Sequence, residues 1–93
     1  MQKQIELSVP LKQGEKEIVR LTLRKPASGE LRGIKMLDIL QMDPSAHAQL
    51  VPRICEEITT ATEFWSLDAA DLMSVMGTVV SFFGTPNMES PMT

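Results

Sequence analysis

Between Leu23 and Asp43 the chain reads LRKPASGELRGIKMLDILQMD, and two incompatible periodicities meet there. Upstream, apolar residues alternate with polar ones, the period of a strand with one buried face. Downstream they recur every three to four residues, the period of an amphipathic helix. Lys25-Pro26 stands at the join, and proline ends a strand because it has no N–H for the ladder. A chain that switches period once, early, is predicted to be α+β: a small N-terminal β-hairpin followed by about three α-helices.

Ile5, Leu7, Val9 and Leu11 alternate with Gln4, Glu6, Ser8 and Pro10. Pro10 is expected at the strand's end or at an unpaired edge. Lys12-Gln13-Gly14-Glu15 is a polar, glycine-bearing turn, and Val19, Leu21 and Leu23 alternate beyond it. Residues 4–11 should therefore pair antiparallel with 17–24. Such a hairpin is marginal alone and needs a helix or another chain on its apolar face.

The first helix is expected to start at Ser28 as N-cap, with Glu30 in the first turn, where negative charge suits the helix dipole. Leu31, Ile34, Leu37 and Leu40 form its stripe, Met36 and Ile39 widen it, and it ends near Met42. Asp43-Pro44 restarts a helix, aspartate as cap and proline at the first helical position. His47, Leu50, Val51, Ile54, Cys55 and Ile58 keep helical spacing, and Pro52 predicts a kink or break near Val51. Thr59 to Ser66 reads as a connector anchored by Phe64 and Trp65. Asp68 opens the last helix, with Asp71 in its first turn and Leu67 and Leu72 flanking the cap as a staple. Leu72, Met76, Val79 and Phe83 make one stripe, while Met73, Val75, Val80 and Phe82 make the helix apolar on further sides. Gly84 and Pro86 are expected to end it. The folded domain then spans residues 1–84, and residues 85–93 read as a flexible tail.

Ninety-three residues suffice for one domain with a modest core, which makes oligomerisation plausible. The N-terminus lacks the apolar stretch of a signal peptide, and no apolar run approaches the ~20 residues of a membrane span. A soluble intracellular protein is expected, with no membrane partner. Charge is uneven: residues 1–35 carry eight of the nine basic residues and sum to +4, whereas residues 36–93 sum to −7. Such asymmetry can steer partners or drive head-to-tail self-association, but the favoured reading is a solvated hairpin rim and solvated helix faces. The net acidity argues against a nucleic-acid binder.

Chemistry-bearing residues are scarce. His47 and Cys55 are the only histidine and the only cysteine, too few for a cysteine zinc site or an oriented nucleophile–base pair. Gly29 and Gly33 do not make a phosphate loop. No enzyme activity, catalytic residue, metal or cofactor is expected. The seven methionines are many, and methionine suits either core filling or a surface that repacks around varied partners.

Arg24, Pro26, Gly29, Leu31, Arg32, Gly33, Leu37, Asp38, Leu40 and Asp43 fit the pattern R-x-P-x-x-G-x-L-R-G-x-x-x-L-D-x-L-x-x-x-D. With Leu50-Val51-Pro52-Arg53-Ile54, the segment Leu67-Asp68-Ala69-Ala70-Asp71-Leu72 and Phe82-Phe83, this resembles the tail assembly chaperones of contractile-tailed, Mu-like phages. One departure is Ala69, where proline is common in that family. The resemblance spans about residues 5–83. It implies a protein that binds the tape-measure protein, keeps it soluble and helps tail-tube subunits assemble around it. It also implies a place in the host cytoplasm, absence from the mature virion, and in many members a second form extended by a translational frameshift.

Under that reading Met73, Met76, Val80 and Phe83 are the candidate client-binding residues, with Met36 and Leu40 lining the other side of a groove. Arg24, Lys25, Arg32 and Lys35 would form a polar rim selecting acidic partners or a second copy. Homo-oligomers are expected through the hairpin edge or the last helix. The alternatives are a structural or adaptor subunit of a phage tail and, third, a small DNA-binding regulator that uses the helices around Asp43-Pro44.

Overall fold

The computed structural model describes residues 2–89, with side chains as far as residue 83. Strand β1 spans Gln2–Gln13 and β2 spans Lys16–Arg24, paired antiparallel around a turn in which Gly14 takes φ +62°. The helices are α1 (Met36–Leu40), α2 (Pro44–Ile54), α3 (Ala61–Trp65) and α4 (Ala69–Glu89). The expected α+β architecture, hairpin first, is what forms.

The hairpin carries an irregularity that simple alternation does not announce. Glu6 pairs with Arg20 and Leu11 with Ile18, so residues 7–10 face Val19 alone. A bulge of this kind shifts the parity of the strand. Ile5, Leu11, Leu21 and Leu23 are buried, with Ile18 half-buried below the bulge. Val19, expected on the same face as Leu21 and Leu23, is exposed instead. Pro10 lies inside the bulge, where no ladder bond is required of it.

The single helix expected from Ser28 to Met42 is broken in two. Ser28–Leu31 is a 3-10 turn that starts at Ala27, not at Ser28. Gly33 then takes φ +79°, in the left-handed region that favours glycine and cannot continue a right-handed helix. α1 follows as little more than one turn. Its inward residue is Ile39, fully buried, while Leu37 and Leu40 of the expected stripe point away from the core. Met42 takes φ +61° and closes α1, after which Asp43 caps α2 by accepting the Ser45 N–H at 3.1 Å.

α2 runs through Pro52 without the expected break. Pro52 lies in the last turn, where the missing donor costs one ladder bond, and Cys55 N–H still reaches the Val51 carbonyl at 2.9 Å. Ala46, His47, Ala48, Leu50, Val51 and Ile54 face inward. Cys55 then bridges to Leu23, which brings the chain back to the hairpin. The Thr59–Ser66 connector contains one helical turn, α3. Thr60 Oγ1 accepts the Glu63 N–H at 3.2 Å, and Glu63 Oε1 accepts the Thr59 N–H at 2.8 Å. Phe64 is buried, with Trp65 edge-on at 5.5 Å between ring centroids and itself half exposed.

α4 continues to Glu89, past the Gly84 and Pro86 that were expected to stop it. Residues 90–93, the end of the expected tail, lie outside the described residues. α4 packs along β1, while α2 packs on α1, α3, α4 and β2. Val75, Met76, Val79 and Phe82 enter one core with the inward hairpin residues, Leu50, Val51, Ile54, Ile58 and Phe64.

Candidate interaction surface

The motif segment is organised by two arginines from different parts of the chain. Arg24, at the end of β2, grips the Glu30 carboxylate with both terminal nitrogens, Nη1 to Oε1 at 2.7 Å, and also donates to the Arg53 carbonyl at 3.0 Å. Arg53 Nη1, from the last turn of α2, donates to the Glu30 carbonyl at 2.6 Å and to the Arg32 carbonyl at 3.0 Å. Glu30 Oε1 also accepts the Ala27 N–H at 2.8 Å. These bonds satisfy carbonyls that the 3-10 turn leaves without a helical partner. The Arg24 guanidinium, with the Ala27 N–H second, holds the Glu30 carboxyl down at about 2. Arg24 is therefore a clamp, not the free rim residue expected. Lys25, Arg32 and Lys35 remain exposed.

A second clamp ties the bulge to α4. Asp71 is 4% exposed. Its Oδ1 accepts the Ser8 N–H and Ser8 Oγ–H, both at 2.9 Å, and Oδ2 accepts the Val9 N–H at 3.1 Å. The Ser8 N–H, ahead of the opposing cost of burial, draws this carboxyl below its ordinary range. Further along, Lys3 Nζ donates to Ser81 Oγ at 2.6 Å and lies 5.2 Å from the Phe82 ring centre. Ser8 to Lys3 and Asp71 to Ser81 are equal lengths of strand and helix, about 16 Å at 3.3 Å and 15 Å at 1.5 Å per residue. This match is why α4 can lie along β1. A third carboxylate, Glu57, accepts the Thr22 N–H at 2.7 Å and covers the outer edge of β2. Gln13 Nε2 donates to the Glu57 carbonyl and to Glu63.

The candidate client residues divide. Met76 is 2% exposed and belongs to the core, so the folded domain does not offer it to a partner. Its place is set by the α4 stripe that faces the hairpin. Met73 is 55% exposed, and Val80 and Phe83 are half-buried, Phe83 against the core's edge. Met36 is half-buried and Leu40 exposed, both on α1. Met36 and Leu40 lie on α1 and the other four candidates on α4, and both helices pack on α2.

Beside α1 lies a cleft of about 260 Å³ between Gly33, Ile34, Lys35 and Asp38 on one side and Asp43, Ser45, Ala46 and Gln49 on the other. His47 is fully buried, with Nε2 3.0 Å from the Ile39 carbonyl and Nδ1 without a partner. Burial holds it below the ordinary histidine range, so it serves as a neutral core residue. Burial also raises the Cys55 thiol. Among the described residues no group of three or more His, Cys, Asp or Glu is placed to hold a metal ion. No helix there is long and apolar enough to cross a membrane.

Residues 4–84 match the family model described as phage tail assembly chaperone proteins, E, or 41 or 14. The chain belongs to this family of phage tail assembly chaperones. It is similar to tail assembly protein E of Escherichia phage P2, at 35% identity over 83 residues, covering 89% of this chain and 90% of that protein. It is also similar to tail assembly protein E′ of the same phage, at 35% identity over 78 residues. That match covers 84% of this chain and 55% of E′, so this chain spans about half of the longer relative. No solved structure matches. The resemblance to tail assembly chaperones is thus confirmed, and these matches do not bear on the narrower Mu-like subgroup.

Arg53 and Asp71 were not singled out as clamps by sequence reasoning. Arg53 had a signal, as the sole base in an otherwise acidic stretch next to the proline of a motif. Asp71 looked like an ordinary first-turn acid, and only the bulge explains its burial.

Proposed function

We propose that this chaperone binds the tape-measure protein and holds it soluble while the tail is assembled, without turnover. The observation that carries the reading is Met73, an exposed methionine on the helix whose opposite face closes the core. Together with Val80 and Phe83 it offers a flexible apolar strip of the kind that accepts amphipathic helical segments. Lys25, Arg32 and Lys35 supply the remaining positive rim for acidic partners. Family membership supports the chaperone role, and the E and E′ pair in phage P2 supports a longer, frameshift-extended counterpart of this chain. The reading places the protein in the host cytoplasm and outside the mature virion. The DNA-binding alternative loses support, because the guanidinium of Arg53 is engaged by backbone carbonyls.

The test is co-expression with the tape-measure protein, scoring soluble client. Met73→Asp should lower client yield severalfold while its own melting temperature stays within a few degrees of wild type, since surface changes rarely exceed about 0.5 kcal/mol. Phe83→Asp should lower both, the yield more. Full client solubility with Met73→Asp would reject this face. Stoichiometric presence of the protein in purified particles would favour a retained tail subunit instead.

A further inference from the structure

α1 carries Leu37, the most exposed large apolar side chain among the described residues. Leu37 is 63% exposed and Leu40 47% exposed. With 100° per residue, Ile39 points into the core about 200° from Leu37, so Leu37 and Leu40 share the outward side. Charge is ordered along the same short segment. Arg32 and Lys35 precede the two leucines, and Asp43 follows them, with Asp38 on the flank facing the cleft. Neither Lys35 nor Asp38 makes an ion pair among the described residues, although both line that cleft.

We propose that this face is the twofold interface for a second copy of the chain. A segment that is basic at its start, apolar in the middle and acidic at its end is complementary to itself when turned antiparallel. Leu37 and Leu40 then meet the same residues of the other copy across the axis, which is the signature of an isologous contact. Lys35 of each copy enters the other's cleft between Asp38 and Asp43. Arg24 and Glu30 take no part, because they already hold each other. The face is smaller than the ~800 Å² per partner of a standard interface, so the dimer is weak and dynamic. It lies on α1, apart from the α4 strip read as the client seat, shares only Arg32 and Lys35 with the rim of that reading, and does not depend on it.

Light scattering and sedimentation equilibrium on the full chain test it, without client, from about 10 to 500 µM in low and high salt. The expected result is a concentration-dependent dimer that loosens as salt rises. Leu37→Asp should weaken it at least about tenfold, the size expected of a central apolar contact. Its circular dichroism spectrum and melting temperature should be unchanged. Lys35→Asp should weaken the dimer comparably, and adding Asp38→Lys should recover part of the loss, because the reversed pair is again complementary across the axis while Asp43 is unchanged. A monomer at 500 µM in low salt overturns the proposal, as does a dimer indifferent to Leu37→Asp. Loss of dimer in Lys35→Asp that Asp38→Lys does not repair overturns the antiparallel pairing.

Discussion

The two clamps solve the same problem with opposite charges. At the bulge, residues 7–10 leave the ladder and the Ser8 and Val9 N–H groups need acceptors, so a carboxylate, Asp71, comes from α4. At the broken helix, Glu30 and Arg32 leave carbonyls exposed and a guanidinium, Arg53, comes from α2. The difference lies in burial. Asp71 is enclosed, whereas the Arg53 cluster sits at the surface, where water can replace a lost bond. Irregular backbone is thus tolerated at both places, but only the first should be costly to break.

The largest effect should follow Asp71→Ala. It removes an acceptor of three hydrogen bonds, and bonds to charged groups contribute about 2 kcal/mol or more. For a domain of this size that lowers the melting temperature by about 10 °C, measurable by circular dichroism. Arg53→Ala should cost about 1 kcal/mol, because the freed carbonyls hydrate. Should Arg53→Ala prove the more damaging of the two, the contrast in burial is not what ranks the clamps.

Acid sharpens the comparison. Asp71 and Glu30 both have depressed folded values, so the unfolded chain binds protons first. Their stabilisation is complete above the ordinary carboxyl range and is lost as pH falls, for Glu30 from about 4.5 down to about 2. Urea unfolding across that window should show less pH dependence in Asp71→Asn than in wild type. His47, also depressed, should contribute an earlier loss that begins as pH falls below about 6.5, the unfolded histidine range, and that is absent in His47→Leu. The smallest effect belongs to the exposed pair of Arg20 and Glu6, 3.0 Å apart on the outer hairpin face. Glu6→Gln should change stability by no more than about 0.5 kcal/mol.

Where local chemistry alone decides an element, the residues announced it. The Gly14 turn, the Lys25-Pro26 stop and the Asp43-Pro44 cap all follow from short-range rules. The failures occur where a distant residue settles the backbone. The Leu31–Leu40 spacing fits one helix well, but a positive φ at Gly33 and the reach of Arg53 across 21 positions to Arg32 divide it. The Val9 and Val19 alternation fits a plain strand, but Asp71 holds a bulge that reverses parity. Thr60 and Glu63 are a missed case of another sort, since Thr-x-x-Glu is itself a helix-start signature. In the candidate surface, Met73 and the exposed bases could be read from composition and period, whereas the exposure of Leu40 follows from the break at Gly33. Met76 stands in the Leu72, Met76, Val79 and Phe83 stripe, opposite the side that carries Ser74, Thr78 and Ser81, but only the hairpin's position says how completely that stripe is covered.

Lys3 meets Ser81 across 78 positions, so the first strand is secured by almost the last residues of the domain. On the ribosome the hairpin emerges first and must wait for α4, with its apolar face uncovered through most of synthesis. Contacts of such sequence separation slow folding and leave partly made chains open to association. The seam also fixes where the coding sequence has latitude. A product that diverges before Asp71 loses both ties that α4 makes to β1, and one that diverges before Ser81 loses the Lys3 tie. One that diverges after Phe83 keeps the whole described core, whatever follows it.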